Sequence, residues 1–452
     1  MQAKFVEGSL FRHVAVMSLT ASVGLMAIFI VDLINMLYIS WLGDPVLTAA
    51  IGFAGAVLFF TTAFGIGLSI GVSAMVAQAL GARDIEAAKR RATAGLWVSG
   101  AIGIAFTALT FVFLPQLLQS LGAEGRTYDE ALHFLRLVTP GQVLLMLGMV
   151  GSNILRAHGA ARRSMMVTVW AGVVLAVLDA VFILWLDLAL TGAAIAGWGS
   201  RLMMVAWALW PIHRHYGGFV RLNFAGICAA ARPMVKISGP AILTQLATPV
   251  GQAMVTRMVA GFGEAAVSGM TLVGRLTPVA FAMLFAMAGA LGPIIGQNLG
   301  AGRFDRVRRA FWDAILFTAI VISAMSFILW LGRDFLAAQF HAEGLAREIL
   351  YLFCGPLSLL FFFNGVIFAA NAACNNLGAA MQATWVNWGR HTLGTWPFAY
   401  LLMHYAGAQG VLIGQAVGGI AFGLLALWLA LRAITRRENL ALVQLQGDAN
   451  GR

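Results

Sequence analysis

The feature that most constrains the fold of this 452-residue sequence is a succession of about twelve long apolar segments with short connections between them. A helix needs roughly 20 apolar residues to cross a bilayer core about 30 Å thick, and each segment reaches that length. The composition agrees, because 60% of the residues are hydrophobic and 10% are charged, a balance that soluble globular proteins do not have. We therefore predict an all-α integral membrane protein with twelve transmembrane helices. The predicted spans are 14–42, 46–79, 93–115, 131–155, 165–187, 190–212, 236–260, 266–299, 310–331, 348–373, 381–404 and 409–432.

The basic residues indicate the orientation of the spans and argue against a nucleic-acid partner. The sequence pI is near 10.4, but Lys and Arg cluster in the short loops between apolar segments. With the N-terminus inside, basic residues on the cytoplasmic side outnumber those on the other side by roughly four to one, as the positive-inside rule expects. We expect both termini in the cytoplasm and the chain in the inner membrane of a bacterium.

Sequence patterns recur in the two halves of the chain at a spacing of about 220 residues, which indicates an internal repeat. AQALGARDIEAAKRRA (77–92) follows the second span, and GQNLGAGRFDRVRRA (296–310) follows the eighth. Two further pairs keep the spacing, WLGDPVLTAAIGF with GFGEAAVSGMTLV and LTGAAIAGWGS with AQGVLIGQAVG. Because each copy has six spans, the halves share one orientation and are related by a pseudo-twofold axis along the membrane normal, with a cavity between them. The predicted parts are an N-terminal six-helix lobe (1–212), a cytoplasmic basic linker (213–235), a C-terminal six-helix lobe (236–435) and a cytoplasmic tail (436–452).

Two carboxylates lie deep within predicted spans of the N-terminal half. Asp32 is in the first span and Asp179 in the fifth, where a charged side chain costs roughly 2.5–3.5 kcal/mol on insertion scales. Asn35 follows Asp32 by three residues and therefore shares nearly the same helical face. We predict that both acids face the protein interior and bind a proton or a cation. The alternatives are a helix-end acid that reaches water for Asp32, and a structural acid bonded to a neighbouring helix for Asp179.

Polar residues in the C-terminal half are candidates for the wall of a substrate cavity. They are Gln245, Thr248 and Gln252 in the seventh span, Asn364 in the tenth and Arg390 in the eleventh. A guanidinium stays charged, so Arg390 needs a carboxylate, helix-end carbonyls or water. Most buried amides only bridge helices, which is the alternative interpretation for the asparagine and the glutamines.

Two methionines of the eighth span are a further candidate for the cavity wall. Met283 and Met287 are one helical turn apart and therefore form an apolar stripe. We interpret the stripe either as a soft wall for hydrophobic cations or as ordinary helix packing.

Cysteines and short motifs give no indication of catalysis. Cys228, Cys354 and Cys374 are too widely spaced to suggest a disulfide framework or a metal site. The sequence has no HExxH, CxxC or GxSxG motif and no phosphate-binding loop. We therefore expect no enzyme activity, no metal site and no organic cofactor.

The motifs together resemble those of the multidrug and toxic compound extrusion (MATE) family, and most closely its DinF-like branch. The resemblance rests on an acid in span one followed by LGDPVLTAAIGF, the paired loops quoted above, VLDAVFILWLDLALTGAAIAG, and Arg390 followed by Pro397. It implies export of organic cations in exchange for inward H⁺ or Na⁺. It also implies that Asp32 and Asp179 are the coupling acids, with Asn153 of the fourth span close to them.

The sequence departs from the family pattern at three places, and two of the departures favour proton coupling over sodium coupling. Leu175 stands where an asparagine is common, and Gly197 stands where a hydroxyl residue is common. The proline usual early in span one is replaced by the sequence MSLTAS (17–22). Two oxygen ligands are thereby lost, and Na⁺ is a hard cation that needs several oxygens.

The sequence therefore predicts a monomeric, proton-coupled antiporter of small organic cations in the lipid bilayer, without nucleic acid as a partner. A flippase for a lipid-linked or polysaccharide precursor is the main alternative. It would need cationic residues in the cavity to bind a diphosphate, for which Arg201, Arg275 and Arg390 are the candidates. An integral-membrane enzyme is a second alternative, which would need paired polar groups at one membrane face.

Overall fold

The chain is almost entirely helical in the computed structural model, which describes residues 3–41, 45–186 and 188–450. The helices are α1 (Leu10–Trp41), α2 (Pro45–Gly81), α3 (Ile85–Ser120), α4 (Gly125–Val138), α5 (Gln142–Ala157), α6 (Ala161–Asp179), α7 (Ala189–His215), α8 (Phe224–Ala260), α9 (Glu264–Ala280), α10 (Ala282–Gly300), α11 (Phe304–Gln339), α12 (Gly344–Leu352), α13 (Ser358–Leu360), α14 (Phe362–Asn376), α15 (Ala380–His391) and α16 (Trp396–Asn450). Among the described residues, eight helices are long and apolar enough to cross a membrane, or nine if one bent pair counts as a single span.

Several predicted spans consist of two or more helical pieces. A 3₁₀ turn at Thr139–Gly141 joins α4 to α5, and a π-helical stretch at Ala180–Trp185 continues α6. A second π-helical stretch, Phe353–Leu357, follows α12, and the pieces before and after Phe361 are bent by 44°. Helix α16 contains a sharp reversal at Ala406 and Gly407, where Gly407 has φ +56°. Such breaks leave backbone groups that only polar neighbours can satisfy inside a membrane.

The chain divides into two compact units. The first contains Val23–Ile242, and the second contains Ala3–Ser22 together with the chain from Leu243 onward. Helices α1 and α8 therefore contribute residues to both units. The lobe boundaries at 212 and 236 stay predictions.

Two apolar clusters pack the two ends of α2 within the first unit. One includes Val57 of α2 with Leu114 of α3 and Leu135 of α4. The other includes Val76 of α2 and Ile154 of α5, together with residues of α3, α6 and α7. Burial of such side chains fixes the rotation of each helix about its own axis and hence the direction of its polar residues.

Tight turns at helix ends recur in the two halves at a constant offset of 219 residues. Residues with positive φ form the pairs Arg83 and Gly302, Gly122 and His341, Gly125 and Gly344, and Gly159 and Gly378. The hydrogen bonds recur as well: the amide of Asp84 donates to the carbonyl of Ala79 over 3.0 Å, and that of Arg303 donates to Asn298 over 2.9 Å. Such left-handed residues end helices and reverse the chain. The repeat is therefore present in the backbone as well as in the sequence.

Two segments are more helical than their sequence position suggests. Helix α8 begins at Phe224, inside the predicted linker 213–235, and the side chain of Asn223 accepts a hydrogen bond from the amide of Gly226 at its first turn. Helix α16 continues through residues 436–450 of the predicted tail. Both segments are rich in good helix formers, and α8 continues through Pro233.

Candidate functional site

The first group of candidate residues joins α1 to α6 in the first unit. Asp179 is the last residue of α6, is fully buried, and directly precedes the π-helical stretch. Its Oδ2 accepts a hydrogen bond from Nδ2 of Asn35 over 3.0 Å. Its Oδ1 is also buried, and no group among the described residues donates to it. We call Asn35 and Asp179 the acidic site.

Asp32 lies on α1, one turn before Asn35, but its side chain is outside the described residues. The backbone alone places Asp32 and Asn35 on nearly the same face of that helix. The meeting of Asp32 with Asp179 therefore stays a prediction.

Small residues allow α1 and α6 to approach closely beside the acidic site. A Cβ atom on Gly24 would collide with the hydroxyl of Thr168, and one on Gly172 would lie 3.2 Å from Cγ2 of Val31. Close approach of this kind is typical of helix pairs in membranes, where van der Waals contact drives association. This close approach brings α1 and α6 together beside the acidic site.

Asn153 is hydrogen-bonded to a different helix. Its Nδ2 donates to Oγ of Ser69 over 2.7 Å, and its carbonyl accepts from Ser73 over 3.4 Å. These bonds connect α5 to α2. The role that the family resemblance implies for Asn153 beside the coupling acids therefore stays a prediction.

The second group of candidate residues surrounds Arg390 in the second unit. The guanidinium donates from Nη1 to Oδ1 of Asn364 on α14, and from Nη2 to Nε2 of His391 over 2.8 Å. Arg390 is 8% exposed, and its Nε has no hydrogen-bond partner among the described residues. No described carboxylate pairs with it either. We call Asn364, Arg390 and His391 the arginine site.

A break in the helix follows the arginine site immediately. Helix α15 ends at His391, Thr392 has φ −96° and ψ −85°, and α16 begins at Trp396. The hydroxyl of Thr395 donates to the carbonyl of Arg390 over 2.9 Å, so a threonine within the break pairs with a backbone carbonyl at the end of α15. A Cβ atom on Gly418 would collide with the carbonyl oxygen of Gly394, so only glycine fits there.

His391 was not among the residues predicted from the sequence. The segment HTLGT (391–395) carried the signal, because a glycine between threonines inside an apolar span indicates a break in the helix. The imidazole ring of His391 lies against α8, where a Cβ atom on Gly251 would collide with the ring. His391 is 6% exposed, and its Nδ1 has no partner among the described residues.

The other candidates for the cavity wall lie outside these two groups. Gln245 is half-buried, whereas Thr248 and Gln252 are exposed, and their spacing places them on adjoining parts of one face of α8. Met283 is half-buried. Met287 is fully buried and accepts a hydrogen bond at Sδ from the hydroxyl of Thr318 over 3.5 Å, which favours helix packing at this position.

The remaining two arginines differ from Arg390 in their surroundings. Arg201 donates from Nη1 to the carbonyl of Val138 over 2.8 Å, at the C-terminal end of α4. A helix C-terminus carries partial negative charge, which stabilises a cation there. Arg275 is exposed. Of the three, Arg390 is the buried one whose described partners are a neutral amide and an imidazole.

Comparison with known proteins gives consistent matches along most of the chain. The MatE family model matches residues 20–181 and again residues 240–401. A Shewanella oneidensis protein named FAD transporter is 28% identical over 430 residues, which cover 92% of this chain and 93% of that protein. The Staphylococcus aureus multidrug export protein MepA is 22% identical, and the match covers 84% of each chain.

A solved structure matches the fold over nearly the full length of both chains. It is described as the outward-facing conformation of a multidrug resistance MATE family transporter of the MOP superfamily. The TM-score is 0.89 at 23% sequence identity, and the match covers 97% of this chain and 98% of the other.

Proposed function

This chain belongs to the multidrug and toxic compound extrusion (MATE) family of membrane transporters, and on that premise we propose that it is a proton-coupled antiporter that expels organic cations by alternating access. The family match and the full-length structural match confirm the predicted fold, twelve transmembrane helices in two six-helix halves. They also agree with the prediction that the chain is a transporter and not an enzyme.

The observation that carries the proposal is the buried carboxyl of Asp179. One of its oxygens is bonded to Asn35, and the other has no donor among the described residues. An ionised carboxylate in such a place is costly unless a cation or a proton compensates it. Binding and release of a proton at Asp179, with Asp32 one turn from Asn35 on α1, would couple the membrane gradient to a rearrangement of the first unit.

Proton coupling is supported over sodium coupling by the side chains around Asp179. Leu175, one turn earlier on α6, has no oxygen to offer, and neither does Gly197 on α7. A proton needs only the carboxyl itself, whereas hard cations such as Ca²⁺ take several oxygen ligands, and we expect the same of Na⁺.

For the substrate, we propose Gln245, Thr248, Gln252, Met283, Asn364 and Arg390 as wall residues, with Met287 behind them. The amides and the hydroxyl would orient polar groups of a cargo, and the methionine would adapt to its apolar surface.

We also propose a monomer with both termini in the cytoplasm. A reporter enzyme that is active only in the periplasm should be inactive when it is fused to either end of the chain. Activity of such a fusion would contradict that orientation.

A second candidate function is transport of a phosphate-bearing compound, including the flippase alternative. Two observations favour it: Arg390 is buried without a described carboxylate, and the Shewanella oneidensis relative is named for FAD, a compound with a diphosphate. Arg275 is exposed and Arg201 is bonded to a helix end, so Arg390 is the arginine best suited to an anionic cargo.

The proposal is tested by efflux of ethidium from proteoliposomes under two separate gradients. We expect a pH gradient, acidic on the outer side of the transporter, to drive efflux in the absence of sodium. A sodium gradient at constant pH should leave the rate at the level of protein-free liposomes. The reverse result would overturn proton coupling, and no efflux under either gradient would overturn the choice of organic cations as cargo.

A further inference from the structure

We propose that the arginine site, Asn364, Arg390 and His391, binds an oxyanion carried by the substrate, a phosphate ester or a carboxylate. The inference deepens the second candidate function, transport of a phosphate-bearing compound, and depends on the first only in that the chain is a transporter. It assigns a ligand chemistry to the second unit that complements the acidic site of the first.

The charge balance of the arginine site is the first argument. Arg390 is 8% exposed, and its described partners are the amide oxygen of Asn364 and Nε2 of His391. Neither partner carries a negative charge when His391 accepts that bond. A buried guanidinium normally has a carboxylate or phosphate partner, because desolvation of an unpaired charge is costly. Nε is left without any described acceptor. An oxyanion supplies both the missing charge and the missing acceptor.

The internal repeat is the second argument. The offset of 219 residues carries Gly172 onto His391 and Val31 onto Val250, the neighbour of Gly251. In the first unit Gly172 lies against Val31, and in the second His391 lies against Gly251. The helix pair α8 and α15 is therefore the counterpart of α1 and α6. The first pair holds Asn35 and Asp179 and the second holds Arg390, so the equivalent helix pairs carry ionisable groups of opposite sign. The positions differ, because the offset carries Asp179 onto Phe398.

The break after His391 is the third argument. Transporters form substrate and ion sites where a transmembrane helix is interrupted, because freed backbone groups and side chains converge there. Arg390 and His391 are the last residues of the first piece, α15, and Gly394 is held against Gly418. The guanidinium thus lies at a position that can be rearranged by a change at the break without unfolding either helix.

Arg390 has the geometry that this ligand needs. Its planar guanidinium can donate two parallel bonds to one oxyanion, which a lysine ammonium does not do. The bond from Nη2 to His391 requires that Nε2 of the imidazole accept, so that Nδ1 carries the proton. That second donor is buried and has no described acceptor, like Nε of Arg390.

The test uses two fluorescent probes that differ by one phosphate ester, FMN and riboflavin, with the purified full-length chain in detergent micelles. Wild-type protein is expected to bind FMN about tenfold or more tightly than riboflavin, the scale of a charge-assisted hydrogen bond. Arg390→Gln should reduce the ratio to about one. Arg390→Lys should give an intermediate ratio, because the positive charge stays but the planar group that donates two parallel hydrogen bonds is lost. Arg257→Gln, at an exposed arginine of α8, is the matched control and should leave the ratio unchanged.

Asn364→Asp is the second variant, and it keeps the arginine. The new carboxylate would pair with Arg390 from within the chain, so that binding of FMN falls to the level of riboflavin while the melting temperature rises. If the only role of Arg390 is to connect α15 to α14, this variant should have the same affinity ratio of FMN to riboflavin as the wild type. It also covers the case in which Arg390→Gln fails to fold.

Three results would overturn the inference. The first is equal affinity of the wild type for FMN and riboflavin. The second is an unchanged ratio in Arg390→Gln or Asn364→Asp. The third is complete displacement of FMN by equimolar inorganic phosphate, which would indicate a site for free phosphate rather than for a substrate group. Binding needs no ion gradient, so a failure of proton coupling would leave each of these results readable.

Discussion

Asn35 donates a hydrogen bond from Nδ2 to Oδ2 of Asp179 over 3.0 Å, and this bond connects two helices across 144 residues of sequence. It satisfies one carboxyl oxygen and leaves Oδ1 without a donor among the described residues. The arginine site holds an ionisable group of the opposite sign: Arg390 donates to the amide of Asn364 and the imidazole of His391, and its Nε has no partner among the described residues. Each unit thus contains a buried ionisable side chain with one polar atom that has no partner among the described residues.

Asp179→Asn is expected to abolish proton-driven efflux while the protein still folds. The amide oxygen can still accept from Asn35, but the side chain can no longer bind or release a proton. Ethidium efflux from proteoliposomes should fall to the rate of protein-free liposomes. Asp129→Asn, at an exposed acid of α4, is the control and should transport like the wild type. Retained proton-driven efflux in Asp179→Asn would end the coupling role of this residue.

Asn35→Ala and Asp179→Ala are expected to be non-additive in stability. A hydrogen bond to a charged group contributes roughly 1.5–3 kcal/mol, and the loss of Asn35 would leave the carboxyl without its described donor. In a double-mutant cycle of unfolding in SDS, the double variant should therefore lose less than the sum of the two single variants. Strict additivity would mean that the bond contributes nothing to the folded state.

Leu175→Asn combined with Gly197→Ser is expected to add sodium-driven efflux. The two changes restore oxygen-bearing side chains at positions where the family pattern has them and this chain lacks them. A Cβ atom on Gly197 has no heavy atom of the described residues within 4 Å, so the serine fits. Efflux under a sodium gradient at constant pH is the measurement. Gly192→Ser is unsuited to the purpose, because its Cβ would lie 2.8 Å from the backbone of Phe182. If the double variant shows no sodium-driven efflux, the missing oxygen ligands do not determine which ion is coupled to transport.

Gly418→Ala and Gly419→Ala should have opposite consequences although the residues are neighbours. A methyl group at Gly418 would collide with the carbonyl of Gly394 and push apart the break after α15, at a cost of about 3 kcal/mol or more. A methyl group at Gly419 meets nothing within 4 Å and should be neutral, or stabilising by up to about 1 kcal/mol through helix propensity. Thermal unfolding monitored by size-exclusion chromatography distinguishes them. Equal melting temperatures would contradict the packing at this break.

Hydropathy and the internal repeat were sufficient to predict the helical architecture. Apolar length predicts spans, because the bilayer leaves unpaired backbone groups no partner but the helix itself. The repeat was visible in loops such as 77–92 and 296–310, whose turns have related backbone geometry at the 219-residue offset. The helical extension through 436–450 was not expected, since polar end segments give no hydropathy signal.

The sequence by itself determined which charged residues stand within long apolar runs, Asp32, Asp179 and Arg390 among them. Only the tertiary structure decided their neighbours: Asn35 for Asp179, Asn364 and His391 for Arg390, and the carbonyl of Val138 for Arg201. Each step along a helix turns a side chain by about 100°, so a single break or π-helical turn changes which residues face each other. These rotations are set by packing between helices distant in sequence, which no local pattern records.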